Sequence, residues 1–195
     1  MTSALALLSP VELGAARLDG DVFELGAGYL PADAPETPLL RAATLTALYD
    51  GSLAAVGMSA AWVHGACDIE PEPHLAQAVG RSRLHRHHPG LRLREVAIDP
   101  RDVIRIGGLQ VAAHHVALAD LALAAASARS TSRRLTARVP AERIDEALGE
   151  LGRTPGAADD AVSWLRRRVT PNKRAALRLL AQIPRGDPPQ ADVTR

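Results

Sequence analysis

The pattern nearest to catalytic chemistry is Gly51-Ser52 followed by Asp68-Ile-Glu70. Nucleotidyltransferases hold phosphates in a Gly-Ser turn and bind Mg²⁺ through two carboxylates spaced two apart on a strand. Here a helical pattern fills the fifteen residues between the two elements. Glu70-Pro71-Glu72-Pro73 is also a poor strand, since proline has no N–H to give a ladder. His85-Arg-His87-His88 offers imidazoles for Zn²⁺, Ni²⁺ or Cu²⁺, but no acidic or cysteine partner is near and Arg81, Arg83 and Arg86 repel a cation. A polar surface turn accounts for it. Cys67 has only His64 nearby as a base and no Gly-x-Ser-x-Gly exists, so Cys67 beside Ala66 reads as packing. His114-His115, between a strand and a helix, reads as a cap or packing pair. The expectation is no catalytic residue, no metal and no cofactor; were Asp68 and Glu70 metal ligands in a nucleotidyltransferase, Asp68→Ala would abolish nucleotide transfer.

Counts exclude further classes. Lys173 is the sole lysine among 23 basic residues, and Asn172 precedes it, so a phosphate-binding Gly-Lys loop is absent. A nuclease signature of an acidic residue two before a lysine fails because Pro171 stands there. One cysteine permits neither an internal disulfide nor a cysteine-based zinc site. The apolar run Val116 to Ala126 is too short to span a bilayer and contains Asp120. The start Met1-Thr-Ser-Ala-Leu-Ala-Leu-Leu has no basic n-region, and the expectation is a cytoplasmic protein without a membrane partner.

The formal net charge of +1 conceals a split. Residues 1 to 78 hold two basic groups, Arg17 and Arg41, against ten acidic ones, a net of −8. Residues 79 to 195 hold 21 basic against 12 acidic, a net of +9. Single-sign fields attract opposite charge, so the halves call for different partners. Candidates for nucleic-acid or acidic-partner binding are Arg81, Arg83 and Arg86; then Arg133 and Arg134; then Arg166, Arg167, Arg168, Lys173 and Arg174. The plainer reading of each cluster is a solvated helix face paired with nearby Glu and Asp.

The elements that must position these residues follow from local pattern. Ser9-Pro10-Val-Glu12 is a helix start with a capping box, and Gly14 and Asp19-Gly20 are expected to keep the helix short. Residues 22–30 read as a hairpin, and Pro31 to Pro38 as a linker. Leu39 to Leu48 and Ser52 to Val63 read as helices, with Ser59 a possible cap. His74 to Val79, Leu91 to Ile98, Val103 to Ile106 and Leu109 to Ala112 read as strands, the last two joined at Gly107-Gly108. Val116 to Ala128 is a buried helix, and Pro140 to Leu151, Asp159 to Val169 and Pro171 to Ile183 are amphipathic ones. The expected fold class is α+β: a small, mostly antiparallel sheet flanked by helices, with a helical C-terminal third and a disordered tail from 185.

Gly57-Met-Ser-Ala-Ala-Trp-Val-His-Gly-Ala66 resembles the Ser-x-x-Ser-Ala-Ala-x-x-x-Gly helix of AbiEi-type antitoxins, the regulatory half of type IV toxin–antitoxin pairs. The likeness continues through His74 to Arg83, His87 to Arg94, Asp102 to Val111 and Ala119-Asp120-Leu-Ala, covering about residues 40 to 125. Relatives carry a winged helix-turn-helix before this region. Leu8 to Leu13 resembles its second helix and Val22 to Leu30 its wing, so residues 1–38 are expected to be a truncated winged-helix segment and linker, ahead of an antitoxin domain over 39–184. Only Gly14 to Gly20 separate the two pieces, too few for a full recognition helix, and residues 1 to 30 set Arg17 against four acids. The resemblance implies a non-catalytic regulator whose partners are a cognate nucleotidyltransferase-type toxin, its own operator DNA, or both. The alternative is a protein-interaction module that binds the toxin without nucleic acid.

Overall fold

The computed structural model describes residues 8–25, 28–80, 90–130 and 139–183. Helix α1 (Pro10–Asp19) begins with a complete capping box: Ser9 Oγ accepts the Glu12 N–H, and the Glu12 carboxylate accepts the Ser9 N–H at 2.7 Å. It runs through Gly14, longer than expected, and stops at Gly20, whose φ of 81° gives the left-handed C-cap. A hairpin follows, β1 (Val22–Leu25) against β2 (Gly28–Pro31). Helix α2 (Pro38–Leu45) is capped by Thr37.

The segment expected as one helix over Ser52 to Val63 is a short strand, β3 (Leu53–Ala55), and a seven-residue helix, α3 (Gly57–Val63). All ten of these residues are buried, so the sequence carries no polar face from which a period of 2 or 3.6 could be read. Gly57, at φ 55°, makes the turn between them. A side chain there would also strike the ends of Leu75, Arg94 and Asp120.

The main sheet adds β4 (His74–Val79), β5 (Leu91–Ile98), β6 (Val103–Ile106) and β7 (Leu109–Ala112), in the order β5-β4-β3-β7-β6. The sheet is mixed rather than mostly antiparallel: β4 pairs with β5, and β3 with β7, in parallel. Consecutive strands β4 and β5 run the same way, which a mostly antiparallel sheet did not call for. The β6–β7 hairpin turns on Gly107 and Gly108, both at positive φ, as the sequence implies.

The fold is α+β, as expected. Helix α4 (His114–Ser130) lies against α3, and α5 (Ala141–Gly152), α6 (Ala157–Arg166) and α7 (Lys173–Gln182) pack around it. The near-uniform apolarity of α4 follows from this central position, with Val116 to Ala119, Leu121, Ala122, Ala125 and Ala126 all buried. One core joins sheet and helices through Leu45, Trp62, Val111, Leu118, Leu121, Leu151, Leu165 and Leu180. No described helix is long and apolar enough to cross a membrane.

Candidate functional site

Ser59 is not a cap. It lies within α3, fully buried, and belongs to a hydrogen-bond chain whose other members are 11 to 16 residues away in sequence. Its Oγ accepts the Leu75 N–H at 2.8 Å and lies 3.2 Å from His74 Nδ1. His74 Nε2 in turn lies 2.8 Å from Glu70 Oε1. With Glu70 ionised, Nε2–H donates to the carboxylate and Nδ1 accepts the Ser59 hydroxyl proton. Ser, His and Glu are the members of a hydrolase triad, but a nucleophile needs an open approach. Ser59 has 0% exposure and its oxygen is already an acceptor. The chain pins α3 to the first residues of β4, beside Tyr49, whose hydroxyl donates to Leu75 O at 2.8 Å. Burial raises the Tyr49 phenol well above its ordinary pKa.

The other chemistry-bearing side chains are also committed. Buried Arg41 donates through Nη1 to the Trp62 and Cys67 carbonyls at 2.6 and 2.7 Å, and through Nε to Glu36 at 2.6 Å. It thereby ties the end of α3 to the turn that follows it, sharing the Trp62 carbonyl with the Gly65 N–H. Cys67 is buried, and burial pushes its thiol up to about 11, so it has little thiolate at neutral pH. His64, the one base suggested for Cys67, faces the other way: its Nε2 bonds Ala112 O at 2.8 Å and its ring lies 3.8 Å from that of His114. His114 is thus a packing partner. Asp68 and Glu70 take different partners, Asp68 being 94% exposed at 4.0 Å from Arg41 while Glu70 turns in to His74. Asp50 caps the turn that holds Ser52, its carboxylate accepting the Ser52 N–H and hydroxyl.

The basic clusters divide in two. Arg94 pairs with Asp120 of α4, both carboxylate oxygens 2.7 Å from Nη1, and Arg129 pairs with Asp145. Arg168 donates to buried Asp102 at 2.5 Å and stacks on Trp164, its Cζ 3.6 Å from the ring centre. Lys173 Nζ donates to the carbonyls of Arg166 and Arg168 at 2.6 and 2.7 Å. Arg168 and Lys173 therefore build the corner between α6 and α7. Arg166, Arg167, Arg174 and Arg178 remain exposed on that corner. Residues 161–183 contain no acid at all, so the local sequence does not neutralise them. Arg81, Arg83, Arg86, Arg133 and Arg134, with His85, His87 and His88 and the tail from 185, lie outside the described residues.

The N-terminal unit has the opposite sign. Residues 8–36 carry six acids against Arg17, and Arg17 lies 3.8 Å from Glu24 of the hairpin. Helix α1 is acidic, carries apolar side chains outward, and leads directly into the hairpin. Compared with protein-family models and with curated proteins, the sequence matches none.

Proposed function

We propose that the protein is a non-catalytic, antitoxin-like regulator that neutralises a cognate nucleotidyltransferase-type toxin, binds its own operator DNA, or does both. The observation that carries this is the α6–α7 corner. There Arg166, Arg167, Arg174 and Arg178 face solvent on a stretch without acids, braced from behind by Lys173 and Arg168. A braced cationic surface recognises a polyanion, whether phosphates or the carboxylates of a protein.

A gel shift of the protein with its upstream DNA, at low and at near-physiological salt, tests the DNA arm. On this reading the complex is specific and weakens steeply with salt, and Arg166→Glu with Arg167→Glu lowers the salt slope by about 2. The acidic N-terminal unit favours a second reading, a module that binds the toxin alone, since phosphates are repelled by its net charge of −5 over residues 8–36. Absence of a shift, together with co-purification of a neighbouring gene product that the same double variant abolishes, selects that reading. Failure of both experiments removes the proposal.

A further inference from the structure

Helix α1 buries no residue, yet it is fixed at both ends. Ten-residue helices are marginal in water and ordinarily draw stability from an apolar face packed on a core. An apolar stripe of α1 points outward: Val11 is 81% and Leu18 87% exposed, with Ala15 exposed between them, while Leu13 and Ala16 on the other side are half-buried. Glu12 and Asp19, one position beyond Val11 and Leu18, line one flank, and residues 8–36 carry a net −5.

A surface with the complementary character lies elsewhere on the same chain. The α6–α7 corner exposes Arg166, Arg167 and Arg174 around Val169, which is fully solvent-exposed. Its shape is set in advance by Lys173, clamped on the Arg166 and Arg168 carbonyls, and by Arg168, held between Trp164 and Asp102. The two surfaces sit on different parts of the fold, since α1 rests on β1 while α6 and α7 rest on α4.

We propose that the α1 stripe of one copy docks on the basic α6–α7 corner of a second copy, giving head-to-tail self-association. Val11 and Leu18 cover Val169, and Glu12 and Asp19 face Arg166, Arg167 and Arg174. Pairing of two α1 stripes about a two-fold axis is disfavoured, because the −5 units would be brought together. DNA is disfavoured on α1 for the same reason. The contact is heterologous, so each copy keeps one unused stripe and one unused corner and can extend. One stripe on one corner buries less than the roughly 1,600 Å² of a standard interface, so the association is weak and depends on concentration. Neither toxin nor DNA is needed for it, and it stands or falls apart from the regulator reading.

The test is sedimentation velocity on the purified full chain over a wide concentration range, at low and at high salt. The expected result is a weight-average mass that climbs with concentration at low salt from the monomer value of 20.6 kDa past twice that, with no plateau at the dimer, and falls back at high salt. Leu18→Asp, and Arg166→Glu with Arg167→Glu, should each stay monomeric; both sites are exposed, and thermal melts that match wild type are required to establish that the variants fold. Val11→Asp serves as a second α1 variant. A 1:1 mixture of the two variants should form a heterodimer and stop there, because the first still has a working corner and the second a working stripe. A wild type that stays monomeric overturns the proposal. So does a mixture that fails to assemble, or an association abolished by Leu18→Asp but untouched by the arginine reversals, which would mark α1–α1 pairing.

Discussion

Acidification should destabilise the protein through His64. With Nε2–H donating to Ala112 O, Nδ1 carries the lone pair, and that atom is buried with no hydrogen-bond partner. Adding a proton there buries a charge with nothing to accept it. Burial, with a smaller push from the adjacent His114 and against the Ala112 bond, accordingly lowers the His64 pKa from 6.5 to about 4. The unfolded chain takes up this proton near pH 6.5 while the folded chain refuses it until about pH 4. Stability is therefore intact above pH 6.5 and falls with pH through the window between the two values. At about 1.36 kcal/mol per unit, the loss is roughly 2 kcal/mol by pH 5 and roughly 3 by pH 4. Urea unfolding of wild type and His64→Gln at pH 7, 6 and 5 measures it, since glutamine can still donate to Ala112 O but does not titrate. Most carboxylates remain ionised over that range, so the two stability profiles should converge by about 2 kcal/mol between pH 7 and 5. Parallel profiles would refute the argument.

Arg41→Leu should cost about 1–3 kcal/mol in urea unfolding, because it leaves the Cys67 carbonyl unpaired and takes one donor from the Trp62 carbonyl and one from half-exposed Glu36; a loss under about 0.5 would mean that water replaces the guanidinium. Ser59→Ala should cost about 1–3 kcal/mol, from the unpaired Leu75 N–H, and leave the binding of any partner unchanged. A fall in partner binding at full stability would show that Ser59 does more than hold α3 to β4. Cys67 should react with a thiol reagent at neutral pH orders of magnitude more slowly in the native protein than in denaturant, its thiol being buried and raised to about 11. Equal rates would place it at the surface.

The sequence was most readable where local chemistry decides the backbone. The Ser9–Glu12 capping box, the Gly107-Gly108 turn and strands β6 and β7 need only neighbours a few residues away. It was least readable where burial is complete. From Leu53 to Val63 no side chain is polar and outward, and Ser59 there looks like a cap because its true partners, Leu75 and His74, are 16 and 15 residues distant. The parallel pairing of β4 with β5 is hidden for a related reason, since a strand run fixes its own length but not the direction of its neighbour. The basic clusters show the same limit. Spacing groups Arg166, Arg167, Arg168, Lys173 and Arg174 together, but only the fold separates the two that brace the corner from the three it displays.

That separation links the two proposals. Arg166 and Arg167 are assigned both to a polyanionic partner and to the α1 stripe of a second copy, and one corner cannot hold both at once. Binding at one must then weaken the other by the same factor. On this reading a duplex or an acidic protein that occupies the corner dissolves the head-to-tail chains, and Leu18→Asp frees every corner for the partner. Leu18→Asp should therefore bind the polyanion more tightly than wild type at protein concentrations where wild type self-associates, and equally well where it is monomeric. The acidic charge that makes α1 a poor reader of DNA becomes, in this arrangement, a competitor for the surface that DNA or toxin would use.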